Sequence, residues 1–168
     1  MTDKEFARYV RKVLTYDPFT GKFHWRVRRS AKLAGSLAGS IHAEGYCYIS
    51  VDRRRLLAHR LAWLYIYNCF PKNEIDHINS NPSDNRLENL REATSAENKA
   101  NSRLRKNNTT GYKGVSFIKS RRRWVAQIAF NKSYRHLGYF NNPRSAYRAY
   151  CQAAKDTFGE FVNLGIAT

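Results

Sequence analysis

Glu74-Ile75-Asp76-His77-Ile78-Asn79-Ser80-Asn81-Pro82-Ser83-Asp84-Asn85-Arg86-Leu87-Glu88-Asn89-Leu90-Arg91 runs from a short apolar segment into turn-forming residues and back to an apolar one. Residues 74–79 read as a strand, Ser80 to Asn85 as a loop rich in Ser, Asn, Pro and Asp, and Leu87 to Ala93 as a second strand. Thr94-Ser95-Ala96-Glu97 has the spacing of a capping box, which predicts a helix carrying Asn98, Ser102 and Arg105 on one face. The local order is therefore strand, loop, strand, helix. Within it Asp76 offers a hard oxygen ligand for a divalent cation, and His77 a group that takes up a proton near neutral pH. Phosphodiester hydrolysis uses both: a cation stabilises charge on the phosphate and leaving oxygen, while an imidazole deprotonates the attacking water.

Upstream of that ribbon, Leu57, Leu61, Leu64, Tyr65 and Asn68 share one helical face, so a helix is expected from Ala58 to Phe70, ended by Pro71. Tyr46, Tyr48, Ile49 and Val51 lead through a turn at Asp52-Arg53 to Leu56-Leu57, the pattern of a hairpin. Tyr16-Asp17-Pro18-Phe19-Thr20-Gly21 supplies turn chemistry for an earlier hairpin that ends at Phe23, His24 and Trp25. Phe6, Val10, Val13 and Leu14 give residues 4 to 14 the spacing of an opening helix.

Downstream the charge changes. From Asn98 to Lys155 there is no Asp or Glu, while Lys99, Arg103, Arg105, Lys106, Lys113, Lys119, Arg121, Arg122, Arg123, Lys132, Arg135, Arg144, Arg148 and Lys155 fall in that stretch. Across all 168 residues, 30 Lys and Arg against 13 Asp and Glu give a net charge of +17, yet 42% of residues are hydrophobic. That combination excludes a disordered basic tail and predicts a folded chain bound to a polyanion. The polar stretch 107–110 reads as a linker. Beyond it Trp124, Ala126, Ile128 and Phe130 alternate onto one face, and Ala146, Ala149, Tyr150, Ala153 and Ala154 form a helical stripe able to cover it. Asn142 and Pro143 supply that helix's cap and first position.

Three cysteines, Cys47, Cys69 and Cys151, lie far apart without a C-x-x-C spacing, and no two histidines have ligand-pair spacing. These features exclude a disulfide framework and a structural zinc site, and predict buried, apolar cysteines. No apolar run approaches a membrane span and no signal-peptide pattern opens the chain, so a soluble, cytoplasmic protein with no membrane partner is expected.

Asp76-His77-Ile78-Asn79, Asn85 to Arg91 and Glu97-Asn98 together resemble the HNH endonuclease motif of the ββα-metal fold, and more specifically the zinc-free phage and intron-encoded homing endonucleases. Ala58 to Trp63 and the Tyr16 to Trp25 pattern extend the resemblance over about residues 14 to 105. It implies that Asp76 is a metal ligand and His77 the general base. Asn89, twelve residues beyond His77, would brace the loop and orient that histidine, and Asn98, nine further on, would be the second protein ligand, with Asn101 its rival. Asn at the last motif position suits one Mg²⁺ or Mn²⁺ better than zinc. His59 is a candidate support residue.

Gly111 to Gly165 resembles the AP2 DNA-binding domain, through Tyr112-Lys113-Gly114-Val115, Trp124 to Ile128, Leu137 to Phe140 and Ala146 to Ala154. That resemblance implies a double-stranded DNA partner read by Lys113, Ser116, Gln127, Tyr134 and His136, beside phosphate contacts from Lys119, Arg121, Arg122 and Arg123. Ser116, Ala129 and His136 stand where plant members carry Arg, Arg and Trp, so the surface is implied and its target sequence is not.

The fold class expected is α+β: a ββα-metal (HNH) core preceded by β-hairpins and followed by a small three-stranded antiparallel sheet packed on one helix, AP2-like. The divisions expected are 1–56 for the DNA-contacting helix and hairpins, 57–106 for the nuclease core, 107–110 for the linker and 111–168 for the DNA-binding domain. The function expected is a metal-dependent DNA endonuclease of homing type. The alternative is a non-catalytic AP2-like DNA-binding regulator retaining an HNH core. No protein partner is deducible.

Overall fold

The computed structural model describes residues 1–28, 32–105, 107–130 and 133–165. Lys106 and Lys132 of the basic run lie outside the described residues. Contacts divide the chain into two compact units, Met1–Ala93 and Thr94–Thr168.

In the first unit, helix α1 (Asp3–Val13) opens on a capping box between Thr2 and Glu5 and buries Phe6, Ala7, Val10 and Val13. Strands β1 (Leu14–Asp17), β2 (Lys22–Trp25) and β3 (Leu37–Ala38) form an antiparallel sheet in that order. A second antiparallel sheet joins β4 (Ser40–Ile41), β5 (Cys47–Val51) and β6 (Arg54–Leu57). The turn between β5 and β6 holds Asp52 and Arg53 both at positive φ, 51° and 60°, which matches the right-handed twist of the strands it joins. Helix α2 spans Ala58–Tyr67 and packs against α1, β5 and β6. Phe6, Val10, Leu14, Phe23, Ile49, Val51, Leu61 and Leu64 make up most of the shared core. Strands β7 (Glu74–His77) and β8 (Leu90–Ala93) pair antiparallel as a separate ribbon, anchored to that core by Ile75 and Leu90.

In the second unit, helix α3 (Ser95–Asn101) begins at Thr94, whose hydroxyl accepts from Glu97 N at 3.3 Å while the Glu97 carboxylate accepts from Thr94 N at 2.7 Å. Strands β9 (Val115–Ile118), β10 (Arg123–Phe130) and β11 (Ser133–Phe140) form an antiparallel sheet with β10 central. Helix α4 (Pro143–Phe158) is capped by Asn142 and covers the sheet with Ala146, Tyr150, Ala153 and Ala154 against Val115, Ala126 and Ile128.

Several expectations shift in detail. α2 ends at Tyr67, because Asn68 turns left-handed (φ 62°) and its N–H closes on Leu64 O. β7 stops at His77. Leu87–Asn89 is a 3₁₀ turn and only Leu90–Ala93 is strand, since Asn89 bends the backbone to bring its amide to the loop. α3 ends at Asn101, where Ser102 turns extended and its hydroxyl donates to Lys99 O at 2.6 Å, so Arg105 lies beyond the helix. Residues 107–110 lie inside the second unit, tied by Asn108 Oδ1 accepting from Thr110 N and Gly111 N at 3.0 and 2.7 Å. Phe130, expected inward, is exposed near the end of β10, and Trp124 is half-buried against Phe117. The three cysteines are free, with Cys69 exposed and the other two half-buried rather than fully enclosed. Among the described residues no helix is long and apolar enough to cross a membrane.

Candidate active site and nucleic-acid interface

The β7–β8 register sets Asp76 opposite Arg91 and His77 opposite Leu90. Both acid and imidazole are buried, at 3% and 5% exposure. Arg91 Nε donates to Asp76 Oδ2 at 2.9 Å, which holds the carboxylate in one orientation and offsets the loss of water around it. His77 Nε2 lies 3.3 Å from Asn85 Oδ1. An amide oxygen can only accept, so this pairing puts the proton on Nε2 and the lone pair on Nδ1. Burial pushes the His77 imidazole below its ordinary range, opposed by the Asn85 hydrogen bond and the Asp76 charge. With its pKa held below the ordinary value by burial, the ring is uncharged at neutral pH.

The loop between the strands is held from inside by Asn89. Its Oδ1 accepts from Asn79 N at 3.0 Å, its Nδ2 donates to Asn79 Oδ1 at 3.1 Å and Asp84 O at 2.8 Å, and its carbonyl accepts from Ile78 N at 2.9 Å. Asp84 is a second tie, receiving Arg86 Nε and Nη2 at 2.9 and 2.8 Å and Asn79 Nδ2 at 2.8 Å. Hydrogen bonds from Arg86 first among these hold its carboxyl down to about 2.

Asn85 was not among the residues singled out from the sequence, yet it is buried and faces His77. Its backbone is gripped by the β1–β2 hairpin. Tyr16 OH donates to Asn85 O at 2.8 Å, Leu87 N donates to Pro18 O at 3.0 Å, and Gly21 (φ 70°) packs so closely that a Cβ there would sit 2.4 Å from the Asn85 carbonyl carbon. The Tyr16-to-Gly21 turn signal was visible in the sequence; its contact with residues 85–87 was not.

His59, in the first turn of α2, is 4% exposed. Its ring stands perpendicular to that of His77 with centroids 4.9 Å apart, and Tyr46 flanks both rings at 5.6 and 6.1 Å. His59 Nδ1 is fully buried with no hydrogen-bond partner among the described residues. Burial pushes its pKa down to about 3, with the neighbouring His77 and Arg60 adding to the shift.

Asn98 and Asn101 lie on α3 in the second unit, half-buried and buried respectively. On the sheet of that unit, the register places Ser116 opposite Val125, Gln127 opposite His136 and Ala129 opposite Tyr134. Ser116, Gln127, Tyr134 and His136 are exposed, on the face opposite Ala126 and Ile128, with Tyr134 the most open at 77%. His136 packs on Tyr139 at 4.6 Å, and the Arg121 guanidinium lies 5.0 Å over the Tyr139 ring. Lys119, Arg121, Arg122 and Arg123 are exposed in the turn from β9 to β10, Arg122 at φ 50°. Lys113 is different: its ammonium donates to Ala100 O, Ser102 O and Asn163 O at 2.6, 2.7 and 3.0 Å. Burial pushes its pKa down to about 8, and its three donors are already taken by carbonyls of its own unit.

Residues 56–100 match the HNH endonuclease family, so the chain carries an HNH endonuclease domain over the stretch that holds Asp76, His77, Asn85 and Asn89. Outside the family description, the chain is similar to Protein 3.8 of Escherichia phage T7, 44% identical over 54 residues. That similarity covers 32% of this chain and 45% of the phage protein, so the chain spans less than half the length of that relative. No solved structure matches. HNH nuclease domains generally depend on a divalent metal.

The residues present fit a hard cation. Asp76 supplies a carboxylate at the base of the ribbon, and Arg91 fixes its orientation through one oxygen. Among the described residues no three His, Cys, Asp or Glu side chains gather as a metal-binding group.

Proposed function

We propose that this chain is a metal-dependent DNA endonuclease that hydrolyses phosphodiester bonds in duplex DNA, of the homing type, with residues 111–168 acting as an AP2-like binding module. The observation that carries the reading is the buried Asp76–His77 pair on one strand end, with Arg91 on the acid and Asn85 on the imidazole.

His77 takes a proton from the attacking water at Nδ1 while Asn85 keeps Nε2 protonated. As the water oxygen bonds to phosphorus, the bond to the leaving sugar oxygen breaks. Asn89 keeps the loop closed around the histidine, so the base does not wander from its line of attack. A divalent cation on Asp76 would neutralise charge on the phosphate and on the leaving oxygen. Asn98 takes its ligand role from the motif and not from a distance. On the basic module, the Lys119 to Arg123 turn meets phosphates, while Ser116, Gln127, Tyr134 and His136 form the base-reading face, Gln127 being suited to adenine. Lys113 is left out of that face because its ammonium is bound internally.

The test is incubation of the full chain with supercoiled plasmid in Mg²⁺, in Mn²⁺ and in EDTA. Nicked or linear product that disappears in EDTA and in His77→Ala supports the reading. Tight DNA binding without cleavage in either metal makes the chain a DNA-binding regulator with an inactive HNH core.

A further inference from the structure

His59 takes no part in the mechanism above, yet it is built into the site. It sits in the first turn of α2, a helix whose start has no side-chain cap, and at a helix start the backbone dipole disfavours a cation. Its ring meets His77 edge to face at 4.9 Å, with Tyr46 closing the third side at 5.6 Å. An imidazole serving only as core would have its nitrogens satisfied, or would be replaced by an apolar ring. A buried polar atom without a partner costs about 1–3 kcal/mol. His59 Nδ1 is such an atom, its ring lying against Tyr46 and His77, and Phe in the same place would leave nothing unsatisfied.

We propose that His59 is a positioning residue for His77: its ring, packed edge to face, sets the plane of the His77 imidazole, and its buried Nδ1 gives that imidazole a polar neighbour. The proposal rests on the nuclease reading for its catalytic consequence, and on the ring geometry and the unpaired nitrogen for its physical one.

The experiment compares full-length wild type with His59→Phe, which keeps the ring and removes the nitrogens, and His59→Asn, which restores a polar atom near the Nδ1 position. Single-turnover nicking at saturating DNA is expected to fall ~10-fold or more in His59→Phe, the scale on which outer-shell partners act. DNA affinity should stay unchanged and the melting temperature should be no lower, while His59→Asn recovers part of the rate. Long-range ¹H–¹⁵N spectra of the His77 ring should shift in His59→Phe whatever the activity. Wild-type nicking by His59→Phe, loss of its fold, or unchanged His77 ring signals would overturn the proposal. A wild-type chain that fails to cleave in any divalent metal overturns the nuclease reading instead, and the ring signals then still decide the part played by His59.

Discussion

Gly21→Ala is the sharpest probe of how the hairpin holds the site. Gly21 adopts φ 70°, and a Cβ there would lie 2.4 Å from Asn85 C, 2.5 Å from Arg86 N and 2.9 Å from Asn85 O. All three are backbone atoms with no rotamer to yield. Gly35 provides the control, because it too has positive φ, 83°, but a Cβ there meets nothing within 4 Å among the described residues. The left-handed conformation itself costs an alanine ~1–2 kcal/mol, and that applies to both variants. Overpacking against fixed backbone adds ~1–3 kcal/mol at Gly21 alone. Urea unfolding of the two variants should therefore separate them by that second quantity, with Gly21→Ala the less stable. The same push displaces Asn85, whose amide oxygen faces His77 Nε2, so plasmid nicking should fall in Gly21→Ala and stay near wild type in Gly35→Ala. Equal unfolding midpoints for the two variants would refute the close approach of hairpin and loop. A destabilised Gly21→Ala that still nicks at the wild-type rate would separate the clamp from catalysis.

His77→Ala and Asp76→Ala should each abolish nicking while gel shifts show DNA affinity nearly intact; cleavage by either variant at the wild-type rate would remove it from the reaction. Asn98→Ala should raise the Mg²⁺ concentration needed for half-maximal rate and Asn101→Ala should not, and a metal titration with the opposite ranking would reassign the second ligand. Replacing Arg121, Arg122 and Arg123 together with Ala should weaken binding to all sequences alike and flatten its salt dependence, because each lost phosphate contact releases fewer counterions. Gln127→Ala should instead change preference among sequences, read by footprinting. His59 has a folded pKa of about 3 against an ordinary 6.5, so between those values the unfolded chain binds the extra proton and stability falls as pH falls, by at most ~1.4 kcal/mol per pH unit for one group. Urea midpoints across that window should flatten in His59→Phe, and an unchanged slope would show that another group carries the loss.

What the sequence discloses here follows the range of the interactions involved. The Thr94 capping box, the β5–β6 hairpin and the α4 stripe all depend on residues within a few positions of each other, and each forms as its pattern indicates. β3 and β4 are two residues long, too short to carry any alternation, and exist because neighbouring strands pair with them. Asp76, His77 and Asn89 are marked by their motif. Asn85 sits inside the same motif, but its function as partner of His77 depends on Tyr16, 69 residues away, and on Gly21. No local pattern encodes that distance.

Lys113 shows the same limit from the side of charge. In a segment with no acids, every cation looks equally available to phosphate, and composition alone cannot rank them. The ranking comes from what surrounds each one. Arg121 to Arg123 are exposed at a turn where the chain reverses, Arg121 lying over the Tyr139 ring. Lys113 lies where α3 ends and residues 163–165 pass, and the carbonyls of Ala100, Ser102 and Asn163 converge on its ammonium there. Helix ends leave carbonyls without intrahelical partners, and a lysine stem can bury its methylenes while its ammonium serves three of them. A cation used this way stabilises the fold that presents the others, so its loss would lower DNA binding through unfolding of the module rather than through a missing phosphate contact.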